Sequence, residues 1–272
     1  MLNGGVTLGQ YFPGNSLLHR MDPRVKLLLT LVYIVMVFIP QNWFGLAAAI
    51  VFLGISAAVS KLPARLLWRS VKPILPLILF TSVINVFYLQ DGAPLLDFWI
   101  IHITTNGVVT AAFISIRIVC LIMGTSLLTY TTSPTALTDA LERLLYPLTL
   151  LHIKVHTLAM MMTIALRFVP TLMDETDKIM SAQKARGADL ESGNLIERVK
   201  ALMPILIPLF VSSFRHAIEL ATAMECRCYH GGDGRTRMKQ LKIHASDIVS
   251  VAVLVVVFAG IVLLNVLISP II

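Results

Sequence analysis

The stretch Ile248–Ile268, IVSVAVLVVVFAGIVLLNVLI, runs for twenty-one residues without a charge. Crossing about 30 Å of hydrocarbon takes roughly 20 mostly apolar helical residues, so this stretch reads as a transmembrane helix. Working back along the chain, Leu27–Pro40 with its flanks, Phe44–Val59, Ile74–Leu89 and Val108–Tyr130 have the same character. The first two of these are short, which leaves them little tilt or puts their ends in the interface. Composition agrees. The 272 residues are 57% hydrophobic and 14% charged, with a mean hydropathy of +0.82, against about 45–50% apolar and about 25% charged in soluble domains. The expected fold class is an all-α polytopic membrane protein with about five transmembrane helices.

The formal charge of +7 does not point to nucleic acid, because the basic residues sit where apolar spans end. Arg20, Arg24 and Lys26 precede the first span, and Lys61, Arg65, Arg69 and Lys72 separate the second from the third. The gaps Gln41–Trp43 and Gln90–Gly107 have no Lys or Arg, the latter carrying only Asp91 and Asp97, whereas the insert Thr131–Ser246 has fourteen. Arg235, Arg237, Lys239 and Lys242 read as an anchor at anionic headgroups before the last span. This alternation places the N-terminus and the insert in the cytoplasm and the C-terminus outside. The expected organisation is therefore 1–131 with four transmembrane helices, 132–245 as a cytoplasmic helical domain, and 246–272 with the last span. The first twenty residues lack the apolar core and cleavage site of a signal peptide. Cys120, Cys226 and Cys228 are too few for a disulfide framework.

The insert reads as three helices. In TSPTALTDALERLLYPL, Ser133 is the expected N-cap and Pro134 the first helical residue. Leu137, Leu141, Leu144, Leu145 and Leu148 form one stripe opposite Asp139, Glu142 and Arg143, an amphipathic helix along or beneath the membrane face. A second helix is expected from about His156 to Arg186, bent or broken near Pro170. A third runs from about Leu195 through Pro204 and Pro208 to Cys228. The acids of DETDK (Asp174–Lys178) then fall early in the segment after Pro170, with Lys184 and Arg186 closing it, which suits the helix dipole.

Both long helices finish alike. SAQKARGADLESG sets Arg186 between Ala185 and Gly187, and TAMECRCYHGG sets Arg227 between Cys226 and Cys228. Leu172, Ile179 and Arg186 are spaced by seven, as are Ser213, Leu220 and Arg227, so each arginine extends one helix face. Gly187 and the pair Gly231–Gly232 are natural stops. Singly, each is also what an arginine satisfying a helix C-terminus before a glycine cap looks like. The repetition, and the small residues stripping bulk from both sides, argue for tips that enter grooves. A planar guanidinium there favours a bidentate carboxylate.

Catalytic signals are weak. There is no G-x-x-x-x-G-K-[ST] for nucleotide. No span carries a polar stripe fit for a channel. Cys226, Cys228 and His230 form an incomplete zinc pattern, and neither a metal nor another cofactor is expected. The alternative reading is an intramembrane prenyl transferase-like enzyme holding a metal diphosphate with Asp174 and Asp177, which share a helix face at i, i+3. It lacks a second acidic cluster, for which Asp189 and Glu191 are a poor substitute.

Three stretches, PGNSLLHRMDPRVKLLLT (Pro13–Thr30), RFVPTLMDETDKIMSAQKARGAD (Arg167–Asp189) and AMECRCYHGGDGRTRMKQLK (Ala223–Lys242), resemble the transmembrane coupling subunits of energy-coupling factor transporters, the EcfT family. The resemblance runs from about Gly9 through the last span and is closer to the shared vitamin-transporter type than to the dedicated types. It implies a non-catalytic, multi-pass subunit of the bacterial plasma membrane with three kinds of partner. Two ABC-type ATPases, EcfA and EcfA′, would each hold one arginine tip in a groove, and membrane S subunits would capture the vitamin and topple when the ATPases close. Ala185, Arg186 and Gly187 would be one ATPase contact and Cys226, Arg227 and Cys228 the other. The second tip departs from the family's Ala-Arg-Gly, which leaves the chain exit after Arg227 open. Arg117, near the middle of the fourth span, is read either as pairing with a carbonyl or hydroxyl inside the bundle or as facing the substrate subunit. Seven of the twelve methionines lie between Met160 and Met224 and suit either an ordinary core or a surface that repacks against several partners.

Overall fold

The computed structural model describes residues 11–88, 94–98, 101–152, 154–188, 195–231 and 241–268. It divides into two compact units, one formed by Gly9–Ala140 with Gln240–Ile272 and the other containing Leu141–Lys239.

The first unit begins with a single turn, α1 (Leu17–Arg20), and continues through α2 (Pro23–Phe38), α3 (Trp43–Ser60), α4 (Ala64–Val71) and α5 (Leu75–Tyr88). A short antiparallel pair, β1 (Pro94–Phe98) and β2 (Ile101–Thr104), follows. Then come α6 (Thr105–Thr131) and the start of α7 (Pro134–Leu144), with α10 (Ala245–Leu267) completing the unit. The fold is helical as expected. The β pair, in the charge-poor gap before the fourth span, has no counterpart in the sequence reading. Its second strand is rich in β-branched residues, which favour extended backbone.

Six helical segments are long and apolar enough to cross a membrane, among them Trp43–Ser60, Ala64–Tyr88, Thr105–Thr131 and Ala245–Leu267. The first expected span, α2, has only 16 residues, about 24 Å of helix. Val155–Ala185 and Val199–Glu225 also qualify, although the sequence reading placed them in the cytoplasmic insert. Their charges gather towards one end, leaving long apolar windows.

The α2–α6 seam is fastened at three points. Lys26 Nζ donates to the Thr131 carbonyl at 3.0 Å, and Tyr33 Oη to the Cys120 carbonyl at 3.0 Å. Arg117 Nη2 donates to the Pro40 carbonyl. Lys26 and Tyr33 are seven apart and so share one side of α2, and Pro40 lies two residues past its end. Arg117 also lies over the Phe113 ring, 4.8 Å from its centroid, a geometry that offsets part of the cost of a buried guanidinium. Of the two readings of Arg117, the observed contacts are those of a carbonyl partner inside the bundle.

α10 is fastened to both ends of α2. At one end Asp247, wholly buried, accepts from the backbone N–H groups of Asp22 at 3.3 Å and His244 at 2.8 Å. Asp22 in turn caps α2 through Arg24 N at 2.9 Å and pairs with the Arg24 guanidinium at 2.7 Å. At the other end Asn42 donates to the Leu264 carbonyl at 3.1 Å while accepting from Gly45 N. Asn265 accepts from Gln41 N and donates to the Ile39 carbonyl. Apart from the Leu264 carbonyl, which also accepts from Ile268 N, these are backbone groups at helix ends that need such partners in a bilayer. Between the fastenings, Tyr33, Met36, Val37, Ala49, Leu53, Leu127 and Leu254 belong to one buried core.

The second unit comprises the end of α7, a 3-10 turn (Tyr146–Leu151), α8 (Val155–Ala185) and α9 (Leu195–Glu225). Ser133 caps α7 as expected, accepting from Ala136 N at 3.3 Å. α8 passes Pro170 unbroken, and α9 passes Pro204 and Pro208 unbroken. Asp174 and Asp177 therefore lie mid-helix rather than in a first turn, and the dipole argument for them does not hold. Lys184, in the last turn of α8, keeps its place. Leu89, Asp91, Asp189, Glu191, Gly232, Arg235, Arg237 and Lys239 fall outside the described residues.

Candidate functional site: two arginine-tipped helices

α8 and α9 run antiparallel. Tyr229 Oη donates to Met160 Sδ at 3.0 Å, Ser212 Oγ to Glu175 Oε1 at 2.7 Å, and Gln183 Nε2 to the Pro204 carbonyl at 3.3 Å. His216 Nε2 shares Glu175 Oε1 at 3.1 Å while its ring lies 6.0 Å from that of Phe168. Near the middle of both helices, then, one carboxylate joins α8 to two residues one turn apart on α9. The sequence reading treated Glu175 only as part of an acidic run. The available signal was Ser212 and His216 at i, i+4 on one face, directly after the apolar run Ile205–Val211.

Because the helices are antiparallel, their C-termini lie at opposite ends of the pair. At 1.5 Å per residue from the Glu175–Ser212 contact, Arg186 and Arg227 are roughly 39 Å apart along the two axes. The structure thus does not bring the two arginines together. It holds them apart.

Each tip is built the same way. α8 ends at Ala185, with Arg186 as the C-cap. Gly187 adopts φ +86°, Gly187 N donates to the Lys184 carbonyl at 3.0 Å and Ala188 N to the Gln183 carbonyl at 3.0 Å. That pair of bonds, closed by a left-handed residue, is the Schellman arrangement. At the second tip Cys228 N donates to the Glu225 carbonyl at 2.9 Å, Tyr229 N to the Met224 carbonyl at 3.1 Å, and Cys228 has φ +56°. Arg227 thus holds the position of Arg186, and Cys228 that of Gly187. The exit left open by the missing glycine is the same one, adopted by a cysteine at about 1–2 kcal/mol of left-handed strain. Arg186 and Arg227 are exposed, as are Ala185, Gly187, Cys226 and Cys228.

The seven-residue stripes behind the tips are packed. Leu172, Ile179, Ser213 and Leu220 are half-buried. Much of the remaining α9 surface is apolar and uncovered, including Ile207, Phe210, Phe214 and Ile218. Met161, Met162 and Met203 are exposed too, so they do not fill a core. Asp174 and Asp177 are exposed on α8, and among the described residues no group of three His, Cys, Asp or Glu is placed to hold a metal.

A multi-pass helical membrane protein with two such tips falls in a narrow class, and comparison with known proteins agrees. The family model described as cobalt transport protein, CbiQ, matches residues 14–238. An energy-coupling factor transporter transmembrane protein EcfT from Clostridium kluyveri is 55% identical over 90% of this chain and 91% of its own. The protein of the same name from Ruminiclostridium cellulolyticum is 48% identical over 96% and 97%, and that from Listeria innocua 46% over 92% and 95%. This chain belongs to that family of energy-coupling factor transporter transmembrane proteins. It is a transport subunit, and the prenyl transferase alternative falls with that membership.

Proposed function

We propose that the chain is the coupling component of its transporter, with Arg186 and Arg227 each docking one of two ABC-type ATPase subunits. The observation that carries this reading is the duplicated tip: the same cap, with an exposed arginine at the same position, at opposite ends of one antiparallel pair. Two similar grooves on two similar partners, held apart, match two tips held apart. Closure of the ATPases would then pull on α8 and α9 together, since Glu175 joins them between the tips.

The uncovered apolar side of α8 and α9, with its flexible methionines, supports a membrane partner on that surface: a vitamin-binding S subunit, and several such subunits in turn if the module is shared. In this reading the N-terminus and the unit bearing the tips face the cytoplasm of a bacterial cell and the C-terminus faces outside. ATP is hydrolysed in the partner subunits.

The test is co-purification from the native membrane in mild detergent. Wild-type chain should bring down two ABC-type ATPases and small vitamin-binding membrane proteins. Recovery of the chain alone, intact and folded, would overturn the proposal.

A further inference from the structure

The segment Leu141–Lys239, which bears both arginine tips, is joined to the first unit at Ala140, within α7, and at Gln240, before α10. Load on that segment therefore reaches the membrane helices first at the α6–α7 junction and at the start of α10. Both places are held by the start of α2. On the α6 side the Lys26 ammonium donates to the Thr131 carbonyl at 3.0 Å and to Thr132 Oγ1 at 3.4 Å. On the α10 side Arg24 Nη2 donates to the Leu241 carbonyl at 3.3 Å, and the Asp247 carboxylate accepts from Asp22 N and His244 N. Asp22 to Lys26 covers about 6 Å of helix, so the chain's exit and its return are gripped within one turn.

The grip is made of buried charge. Asp22, Lys26 and Asp247 are all buried. Both carboxylates act electrostatically on Lys26 and on Arg24, so two anions balance two cations. Buried ionic groups are costly in a membrane unit, and apolar side chains of like volume often pack as well or better. What this set supplies that apolar packing cannot is direction: each cation holds a carbonyl on one connection, and the carboxylate holds an N–H on each side.

Packing alone leaves the two loaded helices room to move. α6 and α10 each pack on α2 and on α3. Among these four helices lies a cavity of about 580 Å³, with Leu127 on its α6 wall and Leu254 and Val257 on its α10 wall. Side chains facing a void lose the contacts that would resist a shift. We infer that Lys26 and Arg24, with Asp22 and Asp247, are positioning residues for transport. They clamp both connections to α2, so that a displacement of the tip-bearing segment moves the membrane helices together. Without the clamp, α6 and α10 absorb the displacement by shifting across the cavity. The inference rests on the coupling function proposed above.

The test uses the whole complex, the chain with its co-purified ATPases and S subunits, reconstituted in liposomes. ATP is trapped inside, a mixture of radiolabelled water-soluble vitamins is added outside, and uptake and ATP hydrolysis are measured on the same vesicles. Lys26→Met keeps the apolar stem and removes the ammonium. Its complex should assemble and hydrolyse ATP as wild type does, while uptake per ATP falls about fivefold, within the range of coupling residues. Asn42→Ala, which loosens the opposite end of α10, should lower thermal stability and leave uptake per ATP unchanged. If Lys26→Met does not fold, Arg24→Gln, which releases the Leu241 carbonyl, replaces it with the same expectation. Unchanged uptake per ATP in the clamp variant overturns the inference, and so does an equal fall in Asn42→Ala. A wild-type chain that brings down no ATPases overturns the coupling function itself, and this inference with it.

Discussion

The ring of Tyr33 lies so close over Gly124 that a Cβ at 124 would sit 2.1 Å from Tyr33 Cε1. Glycine is required here for the approach of α2 to α6, not for its backbone freedom. Gly124→Ala should destabilise the unit by about 1–3 kcal/mol, the usual cost of overpacking. Tyr33→Leu in the same chain should recover part of the loss by removing the ring. Thermal unfolding in detergent checks both, and a Gly124→Ala chain as stable as wild type would contradict the seam described here.

Asn42 is fully buried and joins α3 to the Leu264 carbonyl of α10 while capping its own helix through Gly45 N. Asn42→Ala should leave the Gly45 N–H without its cap and the Leu264 carbonyl with Ile268 N alone, and cost about 1–3 kcal/mol. Amide exchange should quicken around residues 264–268 of α10 and leave its Asp247 end unchanged.

The two tips share one geometry, but only one has glycine at the left-handed position. Cys228→Gly should therefore stabilise the end of α9 by about 1 kcal/mol, and Gly187→Ala should destabilise the end of α8 by a similar amount. Local hydrogen exchange at residues 224–229 and 183–188 measures the two effects, which should have opposite signs.

Arg186→Ala and Arg227→Ala should each weaken assembly with one ATPase and disable vitamin uptake. Arg186→Glu should be worse than Arg186→Ala, because a carboxylate would then meet a carboxylate. Vitamin uptake unchanged in both single variants and in the double variant would sink the coupling proposal.

Burial opposes ionisation of Asp22, but the hydrogen bonds and charge of Arg24 outweigh it and hold the carboxyl below its ordinary 3.8. Folding thus favours the ionised form. The contribution is fully present above about pH 4 and is lost as the pH falls through the lower folded value. Below about pH 4 the wild type should lose stability more steeply than Asp22→Asn, as followed by thermal unfolding across a pH series.

Much of this was legible in the chain. Apolar runs such as Ile248–Ile268 announce helices because a lipid-facing segment must satisfy its own backbone, and length then sets the span. Ser133 and Pro134 announced the start of α7, and Gly187 the stop of α8, because caps are local chemistry. Of the two outcomes expected at Pro170, bent or broken, the break does not occur. A proline inside a helix costs a hydrogen bond but need not break it when the helix continues strongly on both sides.

Local and periodic properties, namely the helical membrane class, the caps at Ser133 and Gly187 and the repeated arginine between small residues, were legible in the sequence alone, because each depends on residues within a few turns of one another. Contacts between distant residues were decided only by the tertiary structure. The antiparallel pairing of α8 and α9 sends Arg186 and Arg227 to opposite ends, and no spacing within either helix states that direction. The left-handed Cys228 copies Gly187 although its residue type argues against it, because the carbonyls of Met224 and Glu225 accept the same pair of bonds. Asp22 with Asp247, and Asn42 with Leu264, are more than two hundred residues apart, and only the packing of α10 against the ends of α2 and α3 brings them into reach.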